Sequence, residues 1–372
     1  PPGHLVRAGH PDEQYLEALT DRIGGGADVR GDFSAQISAN RTGLGRLREL
    51  VGDLGTAAYS QALVELNAYA ERLARAALAD IPRGAYRFTD FLDDDGLGHE
   101  DLPIAAEVRI AKEGINVDFS GTAGQTEGNV NCPLSVAAAA VYYVFRCLMP
   151  PQTPACAGAF RPITLCAPEG SLLNARRPAA VAAGNVETST RVVDVICGAL
   201  AQAVPERIPA ASHGSMNNIA MGSRGDHCWD YYETLGGGMG AGPKGGGISA
   251  VQTHMTNTLN TPVEVLEMAY PLRISRYAVR RGSGGAGRRR GGDGVIREFE
   301  FLAPASVTLL TERRRHAPWG LAEGEPGEAG VNLHNGTALP GKITRQVNAG
   351  DRVTVQTAGG GGWGKPLPES KL

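Results

Sequence analysis

Apolar residues at helical spacing are the clearest pattern in the first part of the chain. Residues 1–85 are predicted to be helical, because an apolar face recurs there with charged residues opposite it, as at Leu66, Tyr69, Ala70, Leu73 and Ala77. The alanine-rich apolar segment from Leu134 to Met149 predicts a second helical region. A third is predicted after Thr188, which could cap it, from the spacing of Val192, Val195, Ile196, Ala199 and Ala203.

Short runs rich in β-branched residues predict strands between and after these helices. Residues 105–110 and 115–120 flank a turn and are predicted to form a hairpin. Further β-like runs occupy residues 295–302, 307–310 and 352–356. Because strands and helices do not alternate regularly, we predict an α+β fold with mixed sheets rather than a doubly wound parallel sheet.

Composition changes along the chain suggest three parts. We expect a helical N-terminal segment over 1–90, an α+β core with the polar motifs over 91–276, and a β-rich, glycine-rich region over 277–372. Glycine accounts for 51 of 372 residues, about 14%, which is twice the usual share. The excess predicts tight loops, and it gathers at residues 236–247, 282–294 and 359–364.

The segment from Gln252 to Glu264 is the most polar candidate for a ligand site. If it forms a strand, its alternating side chains would place four hydrogen-bonding residues on one face: His254, Thr256, Thr258 and Asn260. Such a face suits a polar ligand better than a hydrophobic core. Thr261 and Pro262 then predict a helix start with threonine as the N-cap.

Two further polar clusters precede or adjoin predicted helices and loops. Asn185, Glu187 and Thr188 lie just before a helix, where backbone N–H groups could face an anionic or carbonyl ligand. A simple capped helix with a solvated glutamate explains the same residues. His213 begins a second cluster, for which a loop histidine without a role is an equally good explanation.

Charge and cysteine spacing exclude several classes of protein. A net charge of −3 and a pI near 6.3 give no reason to expect nucleic acid or a membrane as partner, and the Arg313–Arg315 cluster is expected on a solvated face or a subunit contact. Six cysteines without a C-x-x-C pair argue against a structural zinc site and for reduced thiols in the cytoplasm. The longest apolar run is too short to cross a bilayer, and no signal peptide is recognised.

Several short motifs, in their order along the chain, resemble the hydantoinase B/oxoprolinase family. That family includes the B subunits of ATP-dependent hydantoinases and one half of 5-oxoprolinase, with related subunits in acetone and acetophenone carboxylases. The matching stretches are Asp93–Gly96, Asp118–Thr122, Gly128–Pro133, Arg161–Ile163, Gly184–Thr188, Met216–Asn218, Tyr232–Thr234, Thr253–Glu264, Ser283–Gly285 and Gly359–Gly364. An acidic residue expected near Gly246–Gly247 is replaced by glycine.

The resemblance implies a B-type subunit that hydrolyses a cyclic amide after an A-type partner has phosphorylated it with ATP and Mg²⁺. It also implies a divalent metal, zinc or manganese, whose ligands lie in an N-terminal portion outside this sequence, so no metal ligand is expected here. That portion is expected either as a separate chain or as a truncated part of this one. His254 and Glu187 would then transfer protons. The expected substrate contacts are Asn185, Thr188, His213, Thr256, Thr258 and Asn260.

The resemblance leaves two alternatives open. One is a subunit of an ATP-dependent carboxylase of the acetone or acetophenone type. The other is a non-catalytic assembly subunit of either enzyme.

Overall fold

The structure is a computed structural model that describes residues 3–23, 26–224 and 228–366. The chain forms two compact units, residues 1–70 and residues 71–372. The predicted three-part division at residues 90 and 276 stays a prediction. The α+β fold is confirmed, because helices and several mixed or antiparallel sheets are both present.

Helices account for most of the first unit and for three separate segments of the second. The α-helices of the described residues are α1 (Glu13–Ile23), α2 (Gly26–Leu54), α3 (Thr56–Leu78), α4 (Leu134–Cys147), α5 (Ser189–Leu200) and α6 (Val263–Ala269). Gly55, at φ +79°, interrupts the helical stretch between α2 and α3. The helices predicted from apolar spacing are therefore confirmed as α3, α4 and α5. The helical prediction for residues 1–85 holds from Glu13 to Leu78, apart from the breaks between the helices, and is wrong for the described residues at its two ends.

The strands of the described residues form four sheets. In chain order they are β1 (Val6–Arg7), β2 (His10–Pro11), β3 (Gly84–Asp94), β4 (Glu100–Ile110), β5 (Ile115–Asp118), β6 (Ile163–Cys166), β7 (Asn218–Ser223), β8 (Trp229–Thr234), β9 (Leu272–Arg280), β10 (Gly294–Phe301), β11 (Ala305–Leu310), β12 (Val331–His334), β13 (Thr337–Leu339), β14 (Lys342–Val347) and β15 (Arg352–Gln356). The sheet orders are β1-β2, β3-β4-β5-β6, β14-β11-β7-β8 and β13-β12-β15-β10-β9.

The sheet β3-β4-β5-β6 is covered by α5, and α4 packs on α5 in turn. Residues of β4 alternate between buried and less buried, as a strand with one face on the core should. The predicted hairpin is confirmed, since β4 and β5 pair antiparallel from Ile110↔Ile115 to Glu107↔Asp118. Every residue of α5 is buried, which brings its charged residues into the interior.

The other two large sheets of the second unit share one hydrophobic core. Their apolar faces contribute Ile219, Met221, Phe299, Phe301, Val307, Leu309, Val353 and Val355. This core fixes the ends of β7 and β11, which lead into polar segments. The β runs predicted at 295–302, 307–310 and 352–356 are confirmed as β10, β11 and β15.

Glycine-rich segments pack against one another through their backbones. Gly238 N donates to Ala358 O at 3.0 Å, and Gly360 N donates to Gly292 O at 2.9 Å. A Cβ on Gly238 would lie 2.0 Å from Gly292 O, a separation that real Cβ atoms do not show. In the segments 236–247, 282–294 and 359–364 only Gly282 and Gly364 have positive φ. The predicted glycine-rich loops are therefore confirmed, with a closed turn at Gly242–Gly245, but at most of their glycines close backbone contact rather than a positive φ requires the residue.

The predicted strand over residues 252–260 is wrong. Val251 forms an isolated bridge with Gly237, and His254 then turns the chain with φ +55°. Thr261 does not cap α6: Pro262 occupies the N-cap position, and no side chain bonds the helix end. The polar residues therefore lie on an irregular segment, and they do not share one strand face.

Candidate functional site

Buried charges surround α5 on its side toward β3. Arg191 is fully buried, with its guanidinium 3.5 Å from the Asp90 carboxylate and 3.3 Å from Glu312. Arg313 is also fully buried and pairs with Asp90 at 2.8 Å and with Asp194. The two guanidinium groups hold the pKa of Asp90 down at about 2, against the effect of its burial. A buried charge is stable only when an opposite charge pairs with it. These ion pairs therefore hold α5 against the segment that follows β11.

The segment Thr311–His316 continues this network. Lys342 Nζ lies 2.5 Å from Glu312 Oε1, and Asp93 N donates to Glu312 Oε2 at 2.9 Å. Arg313 is completely buried, whereas Arg315 is exposed and pairs with Glu100. The expectation that Arg313–Arg315 forms a solvated or subunit-contact cluster is therefore wrong for Arg313, which is part of the interior.

Glu187 is buried beside this network on a π-helical turn, Gly184–Thr188, that leads into α5. Its Oε1 accepts hydrogen bonds from Asn218 Nδ2 at 2.8 Å and from Met216 N at 3.2 Å. Its Oε2 has no partner among the described residues. Burial, with the nearby Glu312 carboxylate, raises the pKa of Glu187 to about 8. Glu187 is therefore a protonated carboxyl at neutral pH rather than a solvated glutamate.

The two other residues predicted beside Glu187 have different surroundings. Asn185 is exposed, and its backbone oxygen accepts a bond from Ser189 Oγ at 2.7 Å. Thr188 is buried and donates from Oγ1 to Val130 O. The predicted capping of α5 by Thr188 is therefore wrong, because its hydroxyl bonds another segment and no side chain caps the helix.

His213 is buried next to the glycine-rich segments, with 1% of its surface exposed. Its backbone N donates to Gly238 O at 2.8 Å, while neither ring nitrogen has a hydrogen-bond partner among the described residues. Burial, then the nearby His254, lowers its pKa to about 3. His213 therefore remains a neutral imidazole at any physiological pH.

His254 is partly exposed and lines a cavity. Its Nδ1 lies 3.4 Å from the Tyr143 hydroxyl, and the two rings meet edge-on with centroids 5.9 Å apart. Burial lowers the pKa of His254, although the Asp194 carboxylate acts in the opposite direction. The ring is thus neutral at pH 7 and able to accept a proton. No hydrogen bond or ion pair joins it to Glu187 within the described ranges.

The other residues predicted on the same strand face as His254 do not lie on one face. Thr256 is buried and closes a turn, because its Oγ1 donates to Thr253 O at 2.8 Å. Asn260 bonds Thr234 O at 2.8 Å and accepts from the Tyr277 hydroxyl at 3.0 Å. Thr258 is exposed. The structure brings His213 and His254 close together and leaves Thr256, Thr258 and Asn260 in separate surroundings.

The cavity beside His254 has a volume of about 350 Å³. Most of its wall surface is apolar, and polar side chains such as Tyr143, Arg207, Gln252 and His254 contribute the rest. It is lined by Tyr143, Val144, Cys147, Leu148, Cys197, Arg207, Ile208, Pro209, Ser212, Met239, Gln252, Thr253 and His254. An apolar cavity of this size with few polar groups suits a small organic ligand.

Neither a cluster of metal ligands nor a helix able to span a membrane occurs in the described ranges. There, no group of three or more histidine, cysteine, aspartate or glutamate side chains is arranged to hold a metal ion. The residues present therefore do not fit the divalent metal that the resemblance implies. Among the described helices, none combines the length and apolarity needed to cross a membrane.

The comparisons with known proteins agree with the motifs. The family model described as hydantoinase B/oxoprolinase matches residues 1–366. This chain belongs to the hydantoinase B/oxoprolinase family. The 5-oxoprolinase 1 of Arabidopsis thaliana is 39% identical over 361 residues, covering 91% of this chain and 27% of that protein. The putative B-type component of a D-/L-hydantoinase from Pseudomonas sp. strain NS671 is 33% identical over 378 residues, covering 96% of this chain and 64% of that protein.

Two solved structures have the same fold as this chain. The ATP-dependent caprolactamase of Pseudomonas jessenii superposes with a TM-score of 0.84 at 28% identity, over 99% of this chain and 67% of that one. Acetone carboxylase gives a TM-score of 0.78 over 98% of this chain and 56% of that one, and at 15% identity it supports the fold alone. This chain thus spans about two thirds or less of the relatives named here.

Sequence reasoning missed Tyr143 and the buried ionic network. Tyr143 lies on an alanine-rich helix, where an aromatic residue is most simply explained as core. A signal did exist for the network: Arg191 and Asp194 interrupt the otherwise apolar α5. A charge in such a helix is buried only with a partner, so it predicts an ion pair. The partners, Asp90 and Arg313, lie about a hundred residues away and could not be assigned.

Proposed function

We propose that this chain is the B-type component of a cytoplasmic, ATP-dependent cyclic amide hydrolase. It would act on a ring that an A-type partner subunit, with ATP and Mg²⁺, has phosphorylated at the amide oxygen. Membership of the family and the likeness to an ATP-dependent caprolactamase support the reaction class. We place the reaction in the apolar cavity because the neutral His254 lies on its wall.

The chemistry asked of this component is addition of water to an activated carbon. An unstrained amide is a poor electrophile, and phosphorylation makes its carbon more electrophilic. Water adds to that carbon, the C–N bond breaks, and the ring nitrogen gains a proton, which leaves an acyl phosphate. A second water then releases phosphate and the free carboxylate.

His254 is the proposed proton acceptor for the attacking water. Its lowered pKa keeps the imidazole neutral at pH 7, so a lone pair is available, and it can return the proton to the departing ring nitrogen. The Tyr143 hydroxyl, 3.4 Å from Nδ1, orients the ring. His213 lies beside it as an uncharged imidazole and adds no competing positive charge.

Glu187 remains the second proton-transfer candidate. One carboxyl oxygen is unpaired, and the other is fixed by Asn218 and Met216, so the group is positioned and its proton is available. Asn218 in turn accepts a bond from the half-exposed Tyr232 at 2.5 Å, which links Glu187 to the surface. Asn185, Thr188, His213, Thr256, Thr258 and Asn260 remain proposed substrate contacts.

A divalent metal, zinc or manganese, belongs to the proposal only through the family. The described residues offer no ligand set for it, so the steps assigned to this chain use its own side chains. A separate chain or N-terminal portion would have to supply the ligands.

The decisive experiment is an ATP-dependent turnover screen with an A-type subunit and any separate N-terminal chain present. Hydantoin, 5-oxoproline and caprolactam would be offered, and ring-opened product and phosphate measured together. We expect one of the rings to open with ATP consumption and no activity when either subunit is omitted. Consumption of a ketone with bicarbonate instead would favour the carboxylase alternative. Full activity of the partner alone would leave this chain as an assembly subunit and contradict the proposal.

A further inference from the structure

A second chamber adjoins the cavity beside His254. It has a volume of about 440 Å³ and is lined by the 239–246 glycine-rich loop together with the end of α4 and the residues after α5. The two chambers share five wall residues: Cys147, Leu148, Arg207, Pro209 and Met239. They are therefore two parts of one cleft, with Arg207 at their junction.

The outer chamber differs from the inner one in its charges. Arg207 donates from Nη2 to Leu148 O at 2.9 Å, and no carboxylate of the described residues pairs with its guanidinium. Lys244 also lines this chamber; it is exposed and forms no ion pair with the described residues. Glu206 is the single acidic residue of the lining. Formal charges of two cations and one anion leave the outer chamber positive.

The loop that contains Lys244 also offers backbone N–H groups that could bind an anion. Gly242 and Gly245 bond each other in both directions, at 2.9 Å and 3.3 Å, which closes the turn. The N–H groups of Lys244 and Gly246 form no hydrogen bond with the described chain. Nothing lies within 4 Å of a Cβ placed on Gly245, so a ligand can approach the backbone there. Backbone N–H groups beside a lysine are a common way of holding a phosphate.

We propose that the outer chamber is an oxyanion subsite for the phosphoryl group of a phosphorylated cyclic amide, whose apolar ring lies in the inner chamber beside His254. Such a molecule has an apolar end, which suits the apolar inner chamber, and a doubly charged end, which suits the positive outer chamber. Arg207, at the junction, contacts the phosphate with the guanidinium donors that Leu148 leaves free. The identity of the ligand as a phosphorylated cyclic amide rests on the proposed function. The preference for an anion follows from the charges of the chamber itself.

The first test measures binding of inorganic phosphate to the purified chain by calorimetry. Arg207→Met and Lys244→Met should each weaken binding about tenfold, the loss expected for one charge-assisted contact. Glu206→Gln should strengthen it, because it removes the only opposing charge. Arg48→Met, on the exposed face of α2, is the matched control and should bind as wild type. Equal binding by all variants, or a matching loss in the control, would overturn the subsite.

A second arm identifies the source of the anion. Binding of 5-oxoproline, whose carboxylate is also an oxyanion, is measured with the same variants. The proposal expects phosphate to be more sensitive than 5-oxoproline to Lys244→Met. The reverse order would overturn the phosphoryl assignment. Unchanged melting temperatures show that each variant is folded, and Arg207→Lys, which keeps the charge, should retain most of the phosphate binding.

These measurements need no turnover, so the two proposals can fail separately. Arg207-dependent phosphate binding by a chain that supports no ring opening with any partner would contradict the proposed function and keep the anion subsite. Ring opening whose KM is unaffected by Arg207→Met and Lys244→Met would overturn the subsite and keep the function.

Discussion

Replacing Glu187 with glutamine tests the most unusual electrostatic feature of the fold. The carboxyl is buried near Glu312, and its pKa is raised from 4.5 to about 8. In Glu187→Gln, the side-chain oxygen can still accept from Asn218 and Met216, and the amide occupies the place of the unpaired oxygen. The variant thus keeps the shape of the protonated acid and cannot ionise.

The magnitude follows from proton linkage. Because the folded pKa lies above the unfolded one, the stabilisation from this group is complete below pH 4.5 and is lost as the pH rises through 8. With these two pKa values, the free energy of unfolding falls below its low-pH value by about 1 kcal/mol at pH 5.5 and by about 4–5 kcal/mol at pH 8.5. Between these two pH values the wild type should therefore lose about 3 kcal/mol that Glu187→Gln does not lose.

Urea unfolding at pH 5.5 and pH 8.5, followed by tryptophan fluorescence, measures this difference. All three tryptophans, Trp229, Trp319 and Trp363, lie in the second unit together with Glu187, so the signal reports the relevant unfolding. Glu264→Gln, at an exposed position, is the control and should follow the wild type. If the stability difference between Glu187→Gln and the wild type is the same at both pH values, the argument for a protonated Glu187 is wrong.

Two further predictions concern the interior. Arg313→Met should destabilise the second unit by about 3–5 kcal/mol, because it leaves the Asp90 and Asp194 carboxylates buried without their shared partner; a loss below 1 kcal/mol on urea unfolding would contradict this. Gly238→Ala should lower the melting temperature sharply, since its Cβ would meet Gly292 O at 2.0 Å. Gly43→Ala, at an exposed position of α2, is the control and should stabilise the protein by up to about 1 kcal/mol. Similar effects of the two changes would refute the close-packing argument.

Local patterns were sufficient for the regular elements of this fold. The periodicity in α3, α4 and α5, and the β-branched runs in β10, β11 and β15, each depend on residues a few positions apart, and the structure confirms them. The polar segment after Val251 is different. Its backbone is set by a bridge to Gly237 and a turn at His254, so alternation of residue types gave the wrong geometry.

The sequence singled out individual residues for the candidate site, but not how they are arranged in space. The polar motifs singled out Glu187, His213 and His254, whose roles stay predictions, and the structure places Glu187 and His213 where burial shifts their pKa values strongly. Their surroundings come from distant segments, as the approach of Tyr143 to His254 shows. The enrichment in glycine is visible in the composition, but the packing of these glycines against distant backbone cannot be predicted from local sequence.

The most direct test of the central claim measures turnover and stability on one variant, His254→Gln, assembled with an A-type subunit. Glutamine is similar in size and can still bond the Tyr143 hydroxyl, so the melting temperature should stay close to that of the wild type. Ring opening should fall by about a hundredfold or more, the usual loss for a general acid or base. Unchanged turnover in a well-folded variant would show that His254 only fills the wall of its cavity, and the proposed role would be wrong.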